Sequence, residues 1–141
     1  MSSTYTLATN ASLKEISTIA EFITSSLTCS GVMEEIIFAI ELAVDEITNN
    51  IMMYAYPAGE GTMKIMIDVS GTDISIEIRD QGKEFNPLLF PPPDISSNSD
   101  ERKIGGLGIH MVRSIMDKVN YERRDGQNIL KLNKSLSGTK P

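Results

Sequence analysis

A single change of period divides this chain. Up to about residue 54 its apolar residues recur every third or fourth position, whereas from Met63 to Ile78 they recur roughly every second one. The first spacing suits helices that bury one stripe and the second suits strands that bury one face, so the chain must stack a helical layer on a sheet. Residues 4–9 read as a short strand and Asn10 as a helix cap. An amphipathic helix then runs to about residue 28, with Leu13, Ile16, Ile19, Phe22, Ile23 and Leu27 inward. Ser30-Gly31 breaks it. A longer helix covers about Met33 to Tyr54, with Ile36, Ile37, Ile40, Ala43, Val44, Ile47 and Ile51 inward, and stops before Pro57 and Gly59.

Met63, Ile65, Ile67 and Val69, and after Ser70-Gly71-Thr72-Asp73 also Ile74, Ile76 and Ile78, form a hairpin with one buried face. Residues 81–104 lack any period and carry Pro87, Pro91, Pro92 and Pro93. A loop that long in a compact domain is usually a lid or binding loop, and 86–104 is the expected lid. A third helix follows Gly105-Gly106-Leu107-Gly108, with Ile109, Val112, Ile115 and Met116 as its apolar face. Strands at 119–124 and 128–134 make a second hairpin around Asp125-Gly126-Gln127-Asn128. The expected fold is α+β: a two-layer α/β sandwich, a mixed and mostly antiparallel sheet with helices on one face, in a single domain over 1–141.

Charge narrows the partners. Nineteen acidic against thirteen basic residues give a net charge of -6, which argues against general binding to nucleic acid or anionic membranes. Any phosphate must be held locally, by backbone amides, a helix N-terminus or a divalent cation. No run approaches the roughly 18 apolar residues of a membrane span. Cys29 has no second cysteine to pair with, so a reducing, cytoplasmic setting is expected.

Three segments carry polar groups in places where a packed core would not want them. Glu46 and Asn50 stand one helical turn apart in an apolar stretch, so both emerge from one face. A cation bridging nucleotide phosphates wants hard oxygen ligands, and the Asn50 carbonyl supplies one without added negative charge. Glu46 is then the base for an attacking hydroxyl. Alone, the two would equally be solvated residues near a helix end. Asp80 ends an apolar strand and is followed by Gln81-Gly82, where a carboxylate can accept from the exocyclic amine of adenine and Gly82 allows close approach. An exposed turn aspartate is the ordinary alternative. Gly105-Gly106-Leu107-Gly108 opens a helix with free amide N–H groups, and Arg102 and Lys103 precede it, a combination suited to phosphate or to simple helix punctuation.

Together these segments resemble the ATP-binding domain shared by histidine kinases, gyrase-type ATPases and mismatch-repair ATPases, and most nearly the small anti-sigma-factor serine/threonine kinases of bacteria. Glu46-Ile47-Thr48-Asn49-Asn50 with Tyr54-Ala55-Tyr56 is similar to the N-box. Asp80-Gln81-Gly82-Lys83-Glu84-Phe85-Asn86-Pro87 is similar to the first glycine box, and Gly105 through Asp117 to the second. The resemblance implies ATP and Mg²⁺ as cofactors, Asn50 as the metal ligand, Glu46 as general base and Asp80 at adenine. Gly82, Phe85, Arg102, Lys103, Gly105, Gly106, Leu107 and Gly108 would complete the nucleotide site. It further implies a homodimer that phosphorylates a STAS-domain anti-anti-sigma protein and sequesters a sigma factor or other output protein.

Glu84 stands where many relatives carry glycine, and Tyr54 where the small kinases often carry histidine. These departures motivate the alternative of a catalytically silent switch that binds partners under ATP or ADP control. A fragment of a larger gyrase-like machine fits poorly, since little sequence follows the last hairpin. His110, the eight methionines and Cys29 take structural readings, the last as a small buried hydrophobe.

Overall fold

The computed structural model describes residues 2–89 and 106–136. Strand β1 (Ser3–Asn10) leads through a 3-10 turn (Leu13–Glu15) into helix α1 (Ile16–Cys29), which is followed by α2 (Glu34–Asn50). A π-helical turn (Ile51–Ala55) prolongs α2 and precedes the hairpin of β2 (Thr62–Val69) and β3 (Asp73–Asp80). After a 3-10 turn (Pro87–Leu89) come α3 (Gly106–Ile115), β4 (Lys118–Arg124) and β5 (Gln127–Ser135). The sheet has the order β1-β2-β3-β5-β4, and all its pairings are antiparallel, the fully antiparallel limit of the expected sheet. The second hairpin therefore docks through its later strand, which sets Asn128 opposite Asp80.

Alternation decides which face is covered. Met63, Ile65, Ile67, Val69, Ile74, Ile76, Ile78, Leu130 and Leu132 are buried in one cluster with Ile23, Leu27, Ile40, Val44 and Val112 from the helices. The intervening residues of β3 and β5 carry charge, and Glu77 accepts from Arg79 at 2.5 Å with Lys131 at 3.9 Å. This one-sided pattern is what lets an antiparallel sheet face water on its back. The helical layer is held by α2, which packs on both α1 and α3.

Several local expectations shift. Asn10 is the last residue of β1, paired with Thr62, rather than a helix cap, and the 3-10 turn between strand and helix leaves Leu13 72 % exposed instead of buried. Cys29 ends α1 and is exposed. The second helix keeps α geometry only to Asn50, four residues short of the expected end at Tyr54, and the wider π turn follows directly. The third helix already includes Gly106 and Gly108, so these glycines form its first turn.

Candidate nucleotide site

The site sits where α2, α3 and the ends of β3 and β5 meet. Asp80 occupies an inward position of β3, continuing Ile74, Ile76 and Ile78, and is buried. Its Oδ1 accepts from the Gly82 amide at 2.9 Å and from Asn128 Nδ2 at 2.8 Å. Burial pushes the Asp80 carboxyl above the usual carboxylate range, and the Asn128 and Gly82 hydrogen bonds and the Arg123 charge pull it partly back.

Asn128 is the residue that sequence reasoning missed. Its Nδ2 also donates to the Lys83 carbonyl at 2.8 Å, while its Oδ1 accepts from the Tyr121 hydroxyl at 2.5 Å, the Phe85 amide at 3.1 Å and Arg123 at 3.2 Å. Arg123 donates to the Gly82 carbonyl as well, at 2.8 Å. The signal was available: in the alternation Asn128, Leu130, Leu132 a carboxamide stands at a core-facing position, just as Asp80 does in its own strand.

Gly82 is held against the end of the π turn. A Cβ there would overlap the Ala55 carbonyl, to which the Lys83 amide donates at 2.8 Å. The close approach anticipated between Gly82 and a base is thus, in this structure, an approach to the backbone of Ala55. Phe85 stacks on Tyr54 with ring centroids 4.9 Å apart, tying the same loop to the turn after Asn50.

The other end of the site is built differently. Asn50 is 1 % exposed, and among the described residues neither Oδ1 nor Nδ2 finds a hydrogen-bond partner. Glu46, one turn earlier, is half-buried; burial pushes its carboxyl up, the nearby Asn50 carboxamide counteracts this without reaching hydrogen-bond geometry, and Asp45 adds to the rise. Gly108 of α3 lies so near that a Cβ would overlap the Glu46 carboxylate. The anticipated link between the N-box helix and the second glycine segment is therefore a direct contact. Asn49 is turned away and donates to the Asp45 carbonyl at 2.8 Å.

One internal cavity joins the two ends. It is lined by Asn50, Ile51, Asp80, Phe85, Tyr121 and Asn128, and its volume of about 20 Å³ matches a single water molecule. A larger concavity of about 910 Å³ lies against Ala8, Asn10, Lys64, Arg79 and Gln127 at the sheet. Asp80 lines it as well, but neither Glu46 nor Asn50 does, so it reaches only one end of the candidate site. Arg102, Lys103 and Gly105 and most of the expected lid lie outside the described residues; Gly106 and Leu107 are placed in the first turn of α3.

Among the described residues no group of three His, Cys, Asp or Glu side chains could hold a metal by itself, and no helix is long and apolar enough to cross a membrane. Asn50 nonetheless fits a cation carried in by phosphates: a buried carbonyl oxygen without a partner is a hard, neutral ligand.

Known proteins give this geometry its context. The model of the histidine kinase-like ATPase domain matches residues 9–134. The serine/threonine-protein kinase BtrW of Bordetella bronchiseptica is 30 % identical over 96 residues, spanning 67 % of this chain and 68 % of BtrW. The serine-protein kinase RsbW of Halalkalibacterium halodurans is 31 % identical over 110 residues, 71 % of this chain and 67 % of RsbW. In fold, the chain is similar to the RsbU and RsbW domains of Rv1364c from Mycobacterium tuberculosis, with a TM-score of 0.66, 14 % identity and coverage of 95 % of this chain and 32 % of that one. It is also similar to a chain of the SiaB-SiaC complex from Pseudomonas aeruginosa, with a TM-score of 0.60, 15 % identity and coverage of 93 % and 89 %. The chain belongs to the histidine kinase-like ATPase family, in the branch of serine/threonine-protein kinases that includes BtrW and RsbW.

Proposed function

We propose that this protein transfers the γ-phosphoryl group of ATP to a serine or threonine hydroxyl of a STAS-domain anti-anti-sigma protein. The observation that carries this reading is the unpartnered Asn50 carboxamide beside Glu46, lining the same cavity as Asp80. Leaving a buried carboxamide unsatisfied costs about 1–3 kcal/mol, an expense that an incoming ligand can repay. Asn50 would hold Mg²⁺, which when bound neutralises phosphate charge. Asp80 would accept from the exocyclic amine of adenine, and Gly106, Leu107 and Gly108 would offer the amides of the first turn of α3 to phosphate oxygens. Arg102, Lys103 and Gly105 would extend that anion-binding edge, and Phe85 would flank the base.

Glu46 would take the proton of the acceptor hydroxyl as its oxygen bonds to the γ-phosphorus and the bond from phosphorus to the leaving ADP oxygen breaks. Its raised pKa suits that work, because a base gains strength as its pKa approaches the operating pH. Positioning and charge neutralisation carry most of such a transfer, so a small domain suffices. The partner switching that goes with this reading has a cytoplasmic homodimer binding a sigma factor or other output protein and releasing it to the unphosphorylated STAS protein. Support for it comes from membership of the family of RsbW and BtrW.

Incubation with γ-labelled ATP, Mg²⁺ and the STAS protein encoded nearest this gene tests the proposal. Label on the STAS protein that disappears in Glu46→Ala and persists in Cys29→Ala is the expected result. Tight ATP binding with no transfer would instead favour the silent nucleotide-gated switch.

A further inference from the structure

We propose that Asn128 is a positioning residue that sets base discrimination, by clamping Oδ1 of Asp80 so that Oδ2 alone faces the incoming base. The inference rests on the nucleotide reading of the site and goes beyond it to a residue outside the three sequence segments that define that reading.

The hydrogen-bond inventory of Asn128 is complete. Its two Nδ2 hydrogens go to Asp80 Oδ1 and the Lys83 carbonyl, both at 2.8 Å. Its Oδ1 receives only donors: the Tyr121 hydroxyl, the Phe85 amide and the Arg123 guanidinium. A flipped amide would set NH₂ against an N–H and a guanidinium, and its carbonyl against a carboxylate and a carbonyl, so one orientation is selected. With both Nδ2 hydrogens used inside the protein, Asn128 has no free donor for a base and acts through Asp80.

Asp80 in turn has Oδ1 occupied twice, by the Gly82 amide and Asn128, and Oδ2 accepts no hydrogen bond among the described residues. When ionised, a fixed carboxylate with one free acceptor welcomes the exocyclic amine of adenine and repels the carbonyl oxygen that guanine presents at the equivalent position. Without Asn128 the carboxylate is free to rotate, and it loses a hydrogen bond that opposes the effect of burial on its protonation. A protonated carboxyl can donate to a carbonyl oxygen, so discrimination between adenine and guanine should collapse before binding itself does. Arg123 beside Gly82 and Lys83 and Glu84 in the adjoining loop are the other charged groups near this network, and Tyr121 is its further titratable member.

The test is titration of the full chain with Mg²⁺-ATP and Mg²⁺-GTP, comparing wild type with Asn128→Leu, Asn128→Ala and Asn128→Ser, with thermal melting of each apo protein alongside. Wild type should prefer ATP, and the Leu and Ala variants should lose at least about tenfold of that preference, the range expected for a hydrogen bond to a charged group. Serine, which keeps a hydroxyl donor for Asp80, should retain most of it. If Asn128→Leu fails to fold, the Ala and Ser pair decides. Unchanged preference in folded Leu or Ala variants, even with lowered melting temperature, would overturn the proposal and leave Asn128 a purely structural residue. So would a wild type that binds ATP and GTP equally. A wild type that binds neither nucleotide would instead overturn the reading of the site.

Discussion

Around Asp80 a buried carboxylate is met by a backbone amide, a carboxamide and, at longer range, a guanidinium. Around Asn50 a carboxamide equally withdrawn from water makes no hydrogen bond among the described residues and has only the Glu46 carboxyl nearby. Both residues line one small cavity, so the contrast is not one of burial. It separates the part of a site that the protein can complete by itself from the part that only a ligand completes. On the proposed reading Asp80 is a base-reading carboxylate, which works when its geometry is fixed beforehand, and β5 is the rigid element that would fix it. On the same reading Asn50 is a ligand for a cation carried by phosphates and must keep its oxygen free, so the apo protein would give up stability at that end.

The largest test of this contrast is removal of the proposed base. Glu46→Gln should slow label transfer by roughly 10²–10⁴ while ATP affinity changes by less than about threefold, since Glu46 acts in the transition state more than on the bound nucleotide. The same residue gives a sign in pH. If Glu46 is the base it must be ionised to accept a proton, and burial raises its pKa, so the rate should fall as pH drops through that raised value, at higher pH than an ordinary glutamate would dictate. A pH–rate profile that keeps its acid limb in Glu46→Gln would assign the limb to another group.

Matched substitutions at the two carboxamides should then move stability in opposite directions. Asn128→Leu strands Asp80, the Lys83 carbonyl and the Phe85 amide, and should lower stability in urea by about 1–3 kcal/mol. Asn50→Leu breaks no hydrogen bond among the described residues and costs only the relief that the carboxamide gives the Glu46 carboxyl, so it should raise apo stability by up to a similar amount, roughly 1–3 kcal/mol, while weakening Mg²⁺-ATP more than about tenfold. Equal destabilisation by both would erase the distinction between the ends. Gly82→Ala belongs with the first of them. Its methyl would meet the Ala55 carbonyl, which the Lys83 amide holds in place, and the expected loss is about 1–3 kcal/mol together with weaker ATP binding.

How legible these ends were in the chain follows from how local their signals are. Glu46 and Asn50 share a face because of helical spacing alone, which any single sequence displays. Asp80 breaks an alternation of isoleucines, and that too is local. Asn128 breaks an alternation in the same manner, yet it follows Asp125-Gly126, and the turn chemistry of that pair absorbed it: Asp125 does sit at φ 53° and Gly126 at φ 75°. What made Asn128 a partner of Asp80 was the docking of β5 beside β3, a pairing across 48 residues that no local period encodes. The exposure of Leu13 has a similar origin, since the 3-10 turn before α1 rotates it off the stripe that its spacing suggested. Cys29 stands at the end of α1, where composition says little about which way a side chain points.

The smallest expected effect is the most discriminating for the Asp80 network. Tyr121 donates its hydroxyl to Asn128 Oδ1, but that oxygen also receives the Phe85 amide and Arg123, so Tyr121→Phe removes one donor of three and strands no buried acceptor. Stability should fall by about 0.5–1.5 kcal/mol, the usual worth of one such bond. The Asn128 amide keeps its orientation, because its Nδ2 contacts to Asp80 and Lys83 are untouched. Burial pushes the Tyr121 phenol up, so the hydroxyl stays protonated and donating through the neutral range, and the effect should not vary with pH there. Preference for ATP over GTP should accordingly remain within about twofold of wild type, too small a change for a lost charged hydrogen bond. A Tyr121→Phe protein that loses discrimination as fully as Asn128→Leu would move control of Asp80 from the carboxamide on β5 to the phenol on β4.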